Sequence, residues 1–114
     1  MYDSVIIGAG PGGYVCAIEI SKLGGKACIV EKNGFGGTCT QRGCIPTKYL
    51  HSVADIIRKM SMSKAYGIDS KTDLNYKILK SKMFTTVAKL ASGIELLLKD
   101  NGVEIVEGEA EIIS

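Results

Sequence analysis

No apolar run in this 114-residue chain reaches the roughly 18 residues that a membrane-spanning helix needs. No block of like charge is present either. Fourteen Lys and Arg stand against twelve Asp and Glu, for a net charge of +2, and the basic residues are scattered. A surface that tracks a phosphate backbone needs a basic stripe, so nucleic acid is not expected as a partner. The start, MYDSVIIGAG, lacks the basic segment of a secretory signal and carries an acid at Asp3 instead. Internal repeats and low-complexity segments are also missing. These absences predict a cytoplasmic protein that binds neither membrane nor nucleic acid. What remains is 46% hydrophobic and 23% charged, the balance of a single globular domain with a core.

Ten of the 14 glycines fall within the first 43 residues. Turns therefore shape the front of the chain, and side-chain packing the rear. Asp3 to Gly8, DSVIIG, reads as a strand buried on both faces, as in a parallel sheet. Pro11 to Gly24 reads as a helix, with Val15, Ala17, Ile18, Ile20 and Leu23 available to pack and a glycine pair as its stop. Lys26 to Glu31, KACIVE, is a second buried strand. Strand, helix and strand in this order predict a right-handed parallel crossover. Tyr49 to about Met62 and a longer segment from Asp73 or Asn75 to about Asp100 carry apolar residues at helical spacing. They are expected to form an antiparallel helix pair. VEIV, residues 103–106, reads as a third strand, and EAEII, residues 109–113, as a rim strand.

The first turn reads Gly8-Ala9-Gly10-Pro11-Gly12-Gly13. A bare Gly-x-Gly-x-x-Gly is a weak signal. Here a strand precedes it, a helix opens inside it, and an acid, Glu31, ends the next strand 18 residues after Gly13. Gly8 permits the tight turn, Gly10 lets backbone approach a pyrophosphate, and Gly13 lets the helix lie close to the sheet. Helix amides and dipole favour the negative charge. Pro11 suits the first helical position, where no N–H is needed. A carboxylate at Glu31 accepts hydrogen bonds from both ribose hydroxyls and repels a 2′-phosphate. An adenine dinucleotide without that phosphate is the expected ligand.

Four cysteines remain to be explained. Cys16 and Cys28, mid-helix and mid-strand, read as small buried hydrophobes. For Cys39 and Cys44 three roles are open: a structural bridge, a metal site or a dithiol/disulfide couple. A reducing cytosol argues against the first. The second wants about four protein ligands, and His51 is the sole histidine, so no metal is expected. The third requires CTQRGC to leave an ideal helix. Residues five apart on such a helix rise about 7.5 Å and point to different faces, whereas a disulfide wants Cα atoms roughly 4.4–6.8 Å apart. Gly43 supplies that freedom, and Pro46 suits the first turn of a helix beginning near Cys44. A cysteine at such a start is biased towards thiolate. His51 reads as helix surface or packing.

VIIGAGPGGYVCAIEISKLGGKACIVEK followed by GGTCTQRGCIPTK closely resembles the start of the pyridine nucleotide-disulphide oxidoreductases, over nearly the whole chain. The resemblance implies an α/β, Rossmann-like FAD-binding domain with a parallel sheet and an inserted antiparallel helix pair. It implies that the dinucleotide is FAD. Cys39 is then the interchange thiol that meets the substrate disulfide, and Cys44 the one in charge-transfer contact with the flavin. Gly37 and Thr38 lie along flavin and pyrophosphate, and Lys48 approaches the flavin ring. Glu31 and Lys32 match the adenosine end. EGEAEI matches a segment whose backbone meets adenine, which assigns Ala110 a contact there.

Within the family, GCIPTK looks most like the lipoamide dehydrogenases. That implies a flavin-dependent enzyme oxidising protein-bound dihydrolipoamide through a Cys39–Cys44 disulfide and FAD to NAD. Its partner would be a lipoyl-bearing protein of a 2-oxo acid dehydrogenase or glycine cleavage complex, and its full-length form a homodimer. The family also carries a nicotinamide domain, a second FAD-contacting segment and a dimerisation domain with a His/Glu base. None of these is found in the sequence, so residues 1–114 are expected to be a truncated, N-terminal part of the FAD domain and inactive alone. Other expectations remain: a glutathione or mercuric reductase-like enzyme, or a stand-alone nucleotide-binding or dithiol module.

Overall fold

A computed structural model describes residues 1–113; Ser114, the end of the expected unit, lies outside the described residues. Strand β1 (Ser4–Ile7) leads into helix α1 (Pro11–Lys22), and strand β2 (Ala27–Glu31) into the short helix α2 (Gly37–Arg42). Helix α3 (Cys44–Met62) follows at once, then a 3-10 turn at Ser63–Tyr66, helix α4 (Tyr76–Asp100) and strand β3 (Glu104–Glu107). The three strands form one parallel sheet in the order β1-β2-β3. The chain is α/β with a parallel sheet, as expected.

Register explains the core. Ile6, Ile29 and Ile105 stand side by side across the three strands. This row meets Ala17 of α1 and Leu98 of α4, with Ala9, Phe35 and Val103 closing the cluster. The other face holds Val5 and Ile7, which are 56% and 58% exposed. β1 is therefore not buried on both faces as its apolar run suggests. It pairs with β2 alone, at the edge of the sheet, and the helices that share the core pack against the row of Ile6, Ile29 and Ile105. β2, the central strand, has Ala27, Cys28 and Ile29 fully buried.

Other expectations meet different outcomes. Asn75 caps α4, its side chain accepting the Ile78 amide at 3.1 Å. Gly102 stops the helix in a left-handed conformation at φ 71°. Residues 109–113 form no strand: the chain after β3 leaves the sheet at Gly108, whose amide donates to the Glu31 carbonyl at 2.9 Å. Cys16 is exposed rather than core, because it falls on the face of α1 turned from Ala17. Cys28 is buried as expected. α3 contributes no fully buried residue. It and the first half of α4 extend past the sheet, so the radius of gyration is 19.7 Å, against about 13 Å for a compact chain of this length. Among the described residues no helix is long and apolar enough to cross a membrane.

Candidate functional site

The site grows from the C-terminal end of β1. Gly8 takes φ 95°, a left-handed turn that side chains resist. Its amide reaches across to the Val30 carbonyl at 2.7 Å, which fixes the turn against β2. Gly13 lies so close beneath that a Cβ there would overlap the Gly8 carbonyl oxygen and stand 3.2 Å from Ile6 Cγ2. Gly12, by contrast, faces open space. α1 begins at Pro11 with Gly10 as its cap, no capping side chain and no acid in its first turn. Its leading amides are thus available to an anion, and nothing negative on the helix competes.

Glu31 closes the other side. One carboxylate oxygen accepts the Ala9 amide and the other the Asn33 amide, each at 2.7 Å. Partial burial pushes this acid up. The amides of Ala9, Asn33, Lys32 and Gly34 outweigh that and hold it below its ordinary value of 4.5. It is a fixed carboxylate with lone pairs to spare for hydroxyl donors. Lys32 pairs with Glu109 at 2.5 Å.

The segment GFGG carries the chain back to the loop. The Gly36 amide donates to the Ala9 carbonyl at 2.8 Å. Gly37 presses against Gly10, and a Cβ on Gly37 would come within 2.7 Å of the Gly10 Cα. α2 then starts beside the phosphate loop and carries Cys39. Gly43 breaks the helix, α3 begins at Cys44, and the two sulfurs are bonded with their Cα atoms 4.7 Å apart. Cys39 is half-buried and Cys44 exposed. Cys44 is the first residue of a 19-residue helix, a position that favours a thiolate when the bond is reduced.

A cavity of about 230 Å³ brings the glycine loop, Glu31 and the start of α2 together, lined by Gly8, Gly10, Glu31, Gly37 and Thr38 among others; Cys39 and Cys44 do not line it. An adjoining cavity of about 170 Å³ brings Gly8, Glu31, Lys32 and Ala110 together. Pro11, Gly12 and Gly13 form the opening turn of α1 and do not line the first cavity. Lys48 is exposed one helical turn past Cys44 and does not line the first cavity. Asn33, Gly34, Gln41 and Arg42 also line it and were not anticipated. The glycine-rich run GFGG was the available signal for a return to the loop. The Gln41 side chain helps hold that return, donating to the Phe35 carbonyl at 2.8 Å. His51 sits exposed on α3 with Nδ1 3.5 Å from Asp55, an ordinary surface pair.

The glycine packing, the uncapped helix start and the fixed carboxylate fit an adenine dinucleotide: backbone for its phosphates, Glu31 for its ribose. The chain is similar to known proteins. A sequence model of the family described as pyridine nucleotide-disulphide oxidoreductase matches residues 2–114. The chain is 42% identical over 112 residues to a dihydrolipoyl dehydrogenase of Staphylococcus aureus, covering 97% of this chain and 24% of that protein. The protein of the same name from Geobacillus stearothermophilus is 41% identical over 112 residues, with the same coverage. That of Bacillus subtilis (strain 168) is 37% identical over 113 residues, covering 98% of this chain and 24% of the relative. The chain thus spans about a quarter of the length of the curated relatives it matches.

Proposed function

The chain belongs to the pyridine nucleotide-disulphide oxidoreductase family, and from that membership we propose that it is the N-terminal part of the FAD-binding domain of a dihydrolipoyl dehydrogenase. In this reading α3 and α4 are the antiparallel pair inserted into a Rossmann-like domain. The remaining length of the relatives corresponds to nicotinamide-binding and dimerisation parts. The full enzyme works as a cytoplasmic homodimer on a lipoyl-bearing protein of a 2-oxo acid dehydrogenase or glycine cleavage complex.

One observation carries the reading. The short helix α2 presents Gly37 and Thr38 to the phosphate-loop cavity and Cys39 to the disulfide. Gly8, Gly10, Pro11, Gly12 and Gly13 would hold the pyrophosphate of FAD. Glu31, Lys32 and Ala110 would hold its adenosine, and Gly37, Thr38 and Lys48 its flavin side. Bound there, FAD supplies a two-electron carrier between the protein dithiol and NAD.

The chain's own chemistry is thiol–disulfide exchange. A thiolate of dihydrolipoamide attacks Cys39 Sγ, the Cys39–Cys44 bond breaks, and Cys44 leaves as thiolate. The start of α3 stabilises that leaving group. The second substrate thiol then attacks the mixed disulfide and frees Cys39. The substrate loses two electrons and ends as its disulfide. The protein gains two electrons and ends as a dithiol, and the two substrate protons pass to it and to solvent. The test is to titrate the purified protein with FAD and count thiols before and after dihydrolipoamide. Uptake of FAD and release of two new thiols per chain are expected. A protein that takes up no FAD and releases no thiols would overturn the reading.

A further inference from the structure

The cavity around the phosphate loop has two charged lining residues, Glu31 and Arg42. Glu31 is already engaged by two amides. Arg42 forms no ion pair and no side-chain hydrogen bond among the described residues. The other cation close to the loop, Lys32, is taken by Glu109 and does not line this cavity. Arg42 stands four residues after Thr38 on α2, one turn along the same face, and both line the cavity. The Gly37–Gly10 contact presses that helix against the loop.

An unpaired surface arginine usually means only solvated charge. Here the surroundings demand more. The loop from Gly8 to Gly13 offers only backbone amides and contains no charged side chain. A pyrophosphate brings negative charge into a cavity that already holds the Glu31 carboxylate. Like charges in a partly desolvated cavity repel, and a single cation lining it offsets both. A guanidinium is the side chain best suited to the task, with a planar set of donors that matches phosphate oxygens.

We propose that Arg42 is a phosphate-binding residue of the dinucleotide site, pairing with the pyrophosphate and selecting phosphorylated ligands over the bare nucleoside. The inference rests on the dinucleotide reading of this cavity. It differs from the roles given to the glycine loop, which binds through backbone, and to Glu31, which serves the ribose.

The test uses the 114-residue chain and its Arg42→Gln and Arg42→Lys variants, with folding checked by circular dichroism. ADP, FAD and adenosine are titrated separately by calorimetry at two salt concentrations. Arg42→Gln should weaken ADP and FAD about tenfold, the scale of one charge-assisted hydrogen bond. Adenosine should be unchanged, Arg42→Lys should recover part of the loss, and the salt dependence of ADP binding should flatten. A wild-type chain that binds neither ADP nor FAD at millimolar concentration overturns the dinucleotide reading, and this inference with it. A wild-type chain that binds ADP no better than Arg42→Gln overturns only the role of Arg42. Equal loss of ADP and adenosine in Arg42→Gln also overturns it, since that pattern marks a structural residue.

Discussion

The Ala9 amide donates to Glu31 at 2.7 Å, across 22 residues of sequence. This bond ties the turn after β1 to the end of β2. It makes Glu31 a clasp that holds the glycine loop in place. Because the partners are backbone amides, the clasp needs the carboxylate charge and both of its oxygens.

Glu31→Gln should therefore loosen the loop as well as the ligand. The amide end of glutamine turns a donor towards one of two N–H groups, leaving it unsatisfied at a cost of about 1–3 kcal/mol. Urea denaturation should show that loss at neutral pH. Glu31 is held below 4.5 in the folded chain, so its contribution is present above that pH and fades as pH falls through the depressed value. The gap between wild type and Glu31→Gln should narrow in acid. A gap that stays constant down to pH 2 would show that the charge plays no part.

Gly12 and Gly13 are neighbours with opposite expectations. Gly13→Ala drives a Cβ into the Gly8 carbonyl oxygen, and the backbone has no room to yield. It should lower the denaturation midpoint and weaken nucleotide binding. Gly12→Ala meets nothing within 4 Å and should be neutral or gain up to about 1 kcal/mol from helix propensity. Equal effects of the two would place the close contact elsewhere.

Thiol counting separates the four cysteines. The oxidised, folded chain should show one fast thiol, the exposed Cys16. Cys28 should react only on denaturation, since burial pushes its thiol up, with help from nearby Glu104. A dithiol reductant should add two more from the Cys39–Cys44 bond. In single variants, Cys44 in Cys39→Ser should alkylate faster at neutral pH than Cys39 in Cys44→Ser, because Cys44 opens a helix. The reverse order would exchange the attacked and leaving sulfurs.

Adjacent leucines test how α4 meets the sheet. Leu98 is 0% exposed and Leu97 50%. Leu98→Ala should cost about 2–5 kcal/mol through lost burial and the cavity left behind. Leu97→Ala should cost roughly 1 kcal/mol or less, in proportion to its smaller buried area. Denaturant midpoints of the two variants measure this directly, and similar losses would mean a different rotation of the helix.

Local features were legible in the sequence because neighbours along the chain decide them. The strand-turn-helix at Gly8 to Gly13, the break at Gly43, the Asn75 cap and the stop at Gly102 each follow from a backbone preference within a few residues. The reach of Glu31 to the loop followed from a spacing that the strand and helix lengths impose. Neither burial nor long-range company can be read that way. Val5 and Ile7 look like core in the sequence, yet β1 lies at the sheet edge, and strand order is settled by pairing between distant segments. Cys16 looks like core, yet the rotation of α1 is set by which residue best fits the sheet, and that is Ala17. Residues 109–113 alternate like a strand but find no partner strand there. Arg42 carries no local signal at all. Its helix is brought to the glycine loop by tertiary contacts, the Gly36 amide on the Ala9 carbonyl and Gly37 against Gly10, which no residue's chain neighbours encode.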